Sequence, residues 1–260
     1  GHSRMMQYLL WAMSILRLLY AVDFAACIKL YADRLGQLAM RYRSDKGPVQ
    51  HGYTSVYTEF LEPMREQRFR LLEIGLFCHK HQRRFGGEAF TEVPSLKMWR
   101  DYAPQANLFG FDIADFSDVH MDNCTIVRGD QSNRSDLKRL ISVIGEPLDV
   151  IIDDGLHTSQ HQQHSLALLF RALRPGGYYF IEDLHYQPEV AEDSRYPKTR
   201  DLLHSFSCGL PIGTPALSES EARYIQEHTE AVYMFDSRKG VRGRKRRADS
   251  LAVLVKRTGA

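Results

Sequence analysis

Past Pro48, short apolar runs alternate with amphipathic stretches of helix length. Arg70-Leu71-Leu72-Glu73-Ile74-Gly75, Asn107-Leu108-Phe109-Gly110-Phe111-Asp112, Thr125-Ile126-Val127-Arg128-Gly129-Asp130, Leu148-Asp149-Val150-Ile151-Ile152-Asp153-Asp154 and Gly177-Tyr178-Tyr179-Phe180-Ile181-Glu182-Asp183 each read as a buried strand. Residues 135–144 and 161–173 carry the helical period, and Pro175-Gly176-Gly177 is expected to stop the second of these helices. Strands separated by helices predict right-handed βαβ units and a parallel sheet. The end of the chain departs from this pattern. Ala231-Val232-Tyr233-Met234-Phe235 and Leu251-Ala252-Val253-Leu254-Val255 are joined by a long polar stretch without a helix, which predicts an antiparallel pair at one edge. The predicted class is α/β, a doubly wound, mostly parallel seven-stranded sheet with a reversed edge strand.

The start of the chain reads differently. Residues 8–28 are nearly all apolar, broken by Ser14, Arg17 and Asp23, and the helical period continues without a break through Lys29-Leu30-Tyr31-Ala32-Asp33-Arg34-Leu35. One long helix, or two, apolar on most sides, is expected to be buried against its own domain or another subunit. A membrane span is the weaker alternative, since each internal charge costs roughly 3 kcal/mol at mid-bilayer. No small-residue cleavage site follows a short apolar core, so a signal peptide is not expected. Gly1-His2-Ser3 reads as an expression scar. The expected organisation is a helical extension over residues 4–44, a main domain over 45–260, and a homo-oligomer formed through the N-terminal helix.

Composition narrows the field only a little. Hydrophobic residues make up 43% and charged residues 25% of 260, an ordinary globular balance. Thirty-four Lys and Arg against thirty-two Asp and Glu leave +2, which does not suggest a nucleic-acid coat protein. Cys27, Cys78, Cys124 and Cys208 are dispersed without a C-x-x-C pair, so a reduced, cytoplasmic protein is expected.

The strand ends carry the chemistry. In doubly wound sheets ligands sit beyond the carboxyl ends of the strands. Here those ends bear Glu73 and Gly75, Asp112, Asp130, Asp153 and Asp154, and Glu182 and Asp183. Solvated turns account for one or two such acids, and for five poorly. A glycine turn followed by an acid on the next strand is the logic of a nucleoside site, in which backbone approaches the ligand and a carboxylate accepts ribose hydroxyls. G-x-G-x-x-G is absent after Gly75, and Asp112 lies 37 residues on rather than about 20, which disfavours NAD and ATP.

Asp153-Asp154-Gly155-Leu156-His157 and Ile181-Glu182-Asp183 point to a second half-site. Neighbouring strand ends lie about 4.8 Å apart, so Asp154, Glu182 and Asp183 could share one hard divalent cation such as Mg²⁺. A network with Arg or Lys is the alternative means of relieving their repulsion. His157 titrates in the range suited to a general base; its alternative role is to cap the helix starting at Thr158-Ser159. A cation lowering a hydroxyl pKa beside a base suggests group transfer onto oxygen.

These motifs resemble class I S-adenosylmethionine-dependent methyltransferases, which have a Rossmann-like fold, and most of all the metal-dependent sugar O-methyltransferases of macrolide biosynthesis. The similarity spans residues 41–186. It includes Asp45-Lys46-Gly47, His51, Tyr53-Thr54 and Tyr57, then Gly86-Gly87-Glu88 and Ser95-Leu96-Lys97-Met98-Trp99, and the 29-residue spacing from Asp154 to Asp183. The resemblance implies Mg²⁺ on Asp154, Glu182 and Asp183, with His157 as base. It implies cofactor contacts from Glu73 and Gly75, ribose binding by Asp112, and further contacts from Asp130, Gln131 and Asp153. The chain departs from the family pattern in the spacer over residues 90–94 and at Leu156, a position usually occupied by a small residue.

The implied reaction moves the methyl group of S-adenosylmethionine to a sugar hydroxyl of a glycosylated natural product or saccharide. Residues 185–228 are a candidate acceptor lid, the alternative being a surface excursion ending in a helix over residues 218–228. The run Arg238-Lys239-Gly240-Val241-Arg242-Gly243-Arg244-Lys245-Arg246-Arg247 reads first as a solvated loop and second as an anion-binding segment, which would favour an RNA acceptor. A non-catalytic scaffold is the third reading, and it leaves the carboxylates unexplained.

Overall fold

The computed structural model describes residues 33–76, 93–145, 147–236 and 250–259. Its centre is a seven-stranded sheet: β1 (Arg70–Ile74), β2 (Asn107–Asp112), β3 (Cys124–Arg128), β4 (Leu148–Asp153), β5 (Leu173–Ile181), β6 (Thr229–Asp236) and β7 (Ser250–Lys256). The spatial order is β3-β2-β1-β4-β5-β7-β6. The first five strands are parallel, and β7 runs antiparallel to both β5 and β6. This is the doubly wound sheet with a reversed edge that the pattern predicts.

Alternation along each central strand divides the core between the two faces. Leu71, Val150, Ile152, Phe180 and Val253 point to one side. Leu72, Ile151, Tyr179, Ile181 and Leu254 point to the other. The first face is covered by α1 (Arg34–Tyr42), α2 (Thr54–Leu61) and α3 (Pro94–Tyr102), through Leu35, Ala39, Tyr57, Leu96 and Trp99. The second is covered by α4 (Arg134–Ile144), α5 (Ser159–Leu169), α6 (Thr199–Ser207) and α7 (Glu219–His228), through Leu137, Leu166, Leu203 and Ile225. Each fully buried Leu or Phe contributes roughly 1.5–3 kcal/mol of transfer free energy, which favours this sandwich over alternatives that expose one face.

Two boundaries differ from the sequence reading. The unbroken helical period through residues 29–35 is interrupted at Asp33, which is extended (φ −70°, ψ 144°) and caps α1 by accepting from the Gly36 N–H at 2.5 Å. The expected helix over residues 161–173 ends at Leu169, and β5 begins at Leu173 and runs through Pro175-Gly176-Gly177. A register shift between β4 and β5, with Gly176 at φ +74°, lets the strand carry residues that usually end one. The part of the expected N-terminal helix that precedes residue 33, the Gly86-Gly87-Glu88 motif, and the basic run over 238–247 lie outside the described residues. Among the described residues, no helix is long and apolar enough to cross a membrane.

Candidate active site

The strand order reverses direction between β1 and β4, and the crevice that this opens lies at their carboxyl ends. Backbone hydrogen bonds carry the register past the last strand residues. Gly75 N–H donates to the Phe111 carbonyl (2.9 Å), Asp154 N–H to Ile74 (2.9 Å), and Glu182 N–H to Asp153 (3.0 Å). The site loops are therefore extensions of a rigid sheet, which fixes their side chains better than free loops would.

Gly75 is required by geometry. Its φ is +83°, and a Cβ there would lie 2.0 Å from the Asp154 carbonyl oxygen. β1 and β4 thus approach as backbones at the switch point, directly beside the acids. Gly155 faces Gln131 in the same way, with a Cβ placed 2.0 Å from Oε1.

Asp154, His157 and Asp183 converge. One ligand atom from each lies within 4.8 Å of the others. His157 Nε2 is 3.9 Å from Asp154 Oδ1 and 3.7 Å from Asp183 Oδ2. His157 and Asp183 both adopt left-handed backbone, at φ +65° and +54°, a conformation that costs a non-glycine residue about 1 kcal/mol or more. Burial lowers the His157 pKa and keeps the imidazole neutral, while its Nδ1 is buried without a hydrogen-bond partner. The helix cap next to it is Thr158, whose hydroxyl accepts from the His161 N–H at 3.3 Å, so capping does not account for His157.

Glu182 adjoins this trio but is directed differently. Its carboxylate accepts from the Tyr57 hydroxyl and lies 2.9 Å from the Lys46 ammonium. Lys46 also contacts Asp154 and lies 3.2 Å from Glu73. Asp183 accepts from the Tyr53 hydroxyl at 2.6 Å and has His51 Nδ1 at 3.4 Å. Burial raises the Asp154 pKa well above the carboxylate range, with Glu182 adding to the effect, and it raises Glu182 to about 7 despite the opposing Lys46. For Lys46 the balance reverses. Burial pulls the ammonium pKa down, but Asp154, Glu182 and Glu73 outweigh it and the net shift is well upward.

The residues expected to bind cofactor divide into two groups. Asp112 ends β2 at the crevice, accepting from the Leu76 and Ala114 N–H groups at 2.7 Å each. Asp130 organises its own turn, accepting from the Ser132 N–H and hydroxyl at 2.8 Å. Glu73, Gln131 and Asp153 lie deeper. Glu73 is fully buried and accepts from Trp99 Nε1 at 3.2 Å. The Gln131 amide donates to Asp153 at 2.7 Å and to Ser165 at 2.8 Å. Burial pushes the Asp153 carboxyl up to about 7.

Lys46, Tyr53, Tyr57 and His51 belong to the upstream motif, but sequence reasoning assigned them no role. A lysine between an aspartate and a glycine reads as surface, and only the tertiary structure turns it inward. Of the candidate lid, α6 and α7 pack on the sheet, while Tyr186 remains beside the site, half-exposed, its ring 6.0 Å from that of His157.

The sheet order and the acid-lined edge define a Rossmann-like methyltransferase fold. Within that class, the chain is similar to O-methyltransferases that act on the sugars of glycosylated natural products. It is 39% identical over 150 residues to the 8-demethyl-8-(2-methoxy-alpha-L-rhamnosyl)-tetracenomycin-C 3'-O-methyltransferase of Streptomyces olivaceus, a match covering 58% of this chain and 36% of that protein. It is 37% identical over 150 residues to the mycinamicin VI 2''-O-methyltransferase of Micromonospora griseorubida, with the same two coverages. The MycE methyltransferase of the mycinamycin biosynthetic pathway, solved in complex with Mg and SAH, superposes with a TM-score of 0.68 at 27% identity, over 88% of this chain and 54% of that one. The chain thus spans little more than a third of the length of these two curated relatives. No protein-family model matches it.

Proposed function

We propose that this chain catalyses Mg²⁺-dependent transfer of the methyl group of S-adenosylmethionine to a sugar hydroxyl of a glycosylated natural product. The observation that carries the reading is the convergence of Asp154, His157 and Asp183 beyond the switch point, with Glu182 behind them. The donor set fits a hard cation. Three carboxylates, those of Glu73, Asp154 and Glu182, surround a single buried ammonium, and Asp183 faces His157 beside Asp154, a surplus of negative charge that a divalent ion would relieve. Glu182 sits against Lys46 and Tyr57, so Asp154 and Asp183 are the most accessible ligands. The crevice beside Gly75, with Asp112 at the end of the next strand and Ile113 exposed after it, suits a nucleoside.

When bound, the cation lowers the pKa of an acceptor hydroxyl, and S-adenosylmethionine supplies an electrophilic methyl group. The protein's own residues do the rest. Asp112 holds the ribose, and Gly75 lets backbone approach the nucleoside. His157, kept neutral by burial, takes the hydroxyl proton on Nε2 while Asp183, 3.7 Å from that nitrogen, stabilises the resulting imidazolium. Tyr53 fixes Asp183 in turn. The relatives' activities on rhamnosyl and mycinamicin acceptors support a deoxysugar glycoside as substrate.

The test is calorimetric titration of S-adenosylhomocysteine into the protein with Mg²⁺ or EDTA, repeated on Asp112→Ala, followed by methyl transfer to rhamnosyl glycosides. Binding that is lost in Asp112→Ala, with turnover abolished by EDTA, is expected. No binding under either condition would overturn the reading.

A further inference from the structure

Lys46 is a fully buried lysine. Its side chain has no exposure, and its ammonium sits among three carboxylates from three strand ends: Glu73 on β1 at 3.2 Å, Asp154 after β4 in direct contact, and Glu182 after β5 at 2.9 Å. Buried cations are rare unless paired, and this one has more partners than neutrality requires. Two of the partners, Asp154 and Glu182, are proposed cation ligands. The third, Glu73, is not, and it is anchored from the far side by Trp99.

We propose that Lys46 is a resident counter-ion of the acid cluster that sets its affinity for divalent cations, an arriving ion having to share Asp154 and Glu182 with the ammonium. This rests on the metal reading above. Before the ion binds, Lys46 holds the two carboxylates together against their mutual repulsion. Once the ion arrives, the positive charges of ion and ammonium oppose each other at short range in a dry site, where Coulomb energies are several-fold larger than in water. Glu73 provides the outlet. Its carboxylate, 3.2 Å from the ammonium and outside the proposed ligand set, draws the ammonium back from the ion. Glu73 therefore acts on the cation through Lys46, as a positioning residue.

The architecture suits this role. Lys46 belongs to the segment between α1 and α2, and the Thr54 N–H donates to its carbonyl at 3.1 Å, so the backbone is fixed where the side chain enters. Tyr57, one turn into α2, donates to Glu182 and holds that acid toward the lysine rather than toward Asp183.

The experiment is Mg²⁺ titration by calorimetry on the full chain, using the unsubstituted protein, Lys46→Met, Glu73→Gln and the double variant. Lys46→Met is expected to bind Mg²⁺ about tenfold more tightly or better, because the competing charge is gone, and to melt at lower temperature in EDTA, with added Mg²⁺ restoring most of the loss. Glu73→Gln, nearly isosteric, is expected to weaken Mg²⁺ binding at least threefold. That effect should vanish in the Lys46→Met background, where there is no ammonium for Glu73 to draw away. Unchanged or weaker binding in Lys46→Met would overturn the proposal, as would a Glu73→Gln effect that persists without Lys46. If Lys46→Met does not fold even with Mg²⁺, Glu73→Gln decides alone: threefold weaker binding supports the role and unaltered binding removes it. Failure of the unsubstituted chain to bind Mg²⁺ would refute the metal reading and this proposal together. Binding that the substitutions leave unchanged would refute only the role of Lys46.

Discussion

His157 and Asp183 come from different loops, each with left-handed backbone (φ +65° and +54°), and their side chains meet at 3.7 Å. Neither residue is a glycine, so the sheet must hold both loops in place, and the strain falls where two functional groups need to face each other. Asparagine tolerates left-handed φ better than most residues, so His157→Asn separates chemistry from backbone. It is expected to leave the melting temperature nearly unchanged and Mg²⁺ affinity within threefold, while methyl transfer falls on the order of 10²-fold or more. Asp183→Asn should lose more than tenfold in Mg²⁺ affinity as well as turnover. Equal losses of Mg²⁺ affinity in the two variants would make His157 a ligand rather than the base.

Gly75→Ala probes the switch point. The substitution meets two penalties at once, a φ of +83° and a Cβ 2.0 Å from the Asp154 carbonyl oxygen. The backbone conformation alone costs roughly 1 kcal/mol, and the overlap forces β1 and β4 apart. An unfolding free energy lower by about 2 kcal/mol or more is expected from urea denaturation, with S-adenosylhomocysteine affinity lost in parallel. Gly145→Ala, where φ is +77° with nothing within 4 Å, is the control for the strain alone.

Strand order and the reversed edge were legible because apolar alternation and strand spacing report burial on two faces, as Leu71 and Leu72 illustrate by pointing into opposite cores. The acids at the strand ends were legible for the same reason, since Asp112, Asp154 and Asp183 follow directly from where β2, β4 and β5 stop. What sequence could not give was direction. Glu182 and Asp183 are adjacent, yet one side chain faces Lys46 and Tyr57 while the other faces His51 and Tyr53. Nor could it show that Glu73 is buried beneath the edge, or that Lys46 crosses more than 100 residues of sequence to meet Asp154. The end of α5 was misjudged because Pro175 and Gly176 look like helix terminators, whereas the sheet accommodates them through a shifted register.

Two described cysteines should differ in reactivity. Cys124 starts β3 half-buried, and burial, with the Glu73 charge adding to it, pushes its thiol up to about 11. At pH 8 only about one in 10³ molecules then carries a Cys124 thiolate, the reactive form. Cys208, exposed after α6, has no such shelter. In a Cys27→Ser/Cys78→Ser background, Ellman's reagent at pH 8 should modify one thiol quickly and the second at least 10²-fold more slowly. Mass spectrometry should place the fast adduct on Cys208. A fast adduct on Cys124 would show that β3 opens readily.

Cation binding and protonation compete at the same acids, and the sign of that competition can be measured. Asp153 and Glu182 have folded pKa values of about 7, above the ordinary 3.8 and 4.5, and Asp154 is also raised. A carboxyl whose pKa rises on folding stabilises the protein most below its unfolded pKa. That stability is lost as pH climbs through the folded value, at up to ~1.4 kcal/mol per unit and group. His161 and His164 act in the opposite direction, because burial lowers their pKa and folding gains as pH rises through 6.5. They lie away from the acid cluster and cancel when the same pH is compared with and without the ion. Near pH 6 protons already neutralise much of the cluster, so Mg²⁺ has less repulsion to relieve; near pH 8 it has the most. The rise in melting temperature produced by 10 mM Mg²⁺ over EDTA is therefore expected to be larger at pH 8 than at pH 6. An increment equal at the two pH values, or larger at pH 6, would mean that the ion does not bind at Asp154 and Glu182.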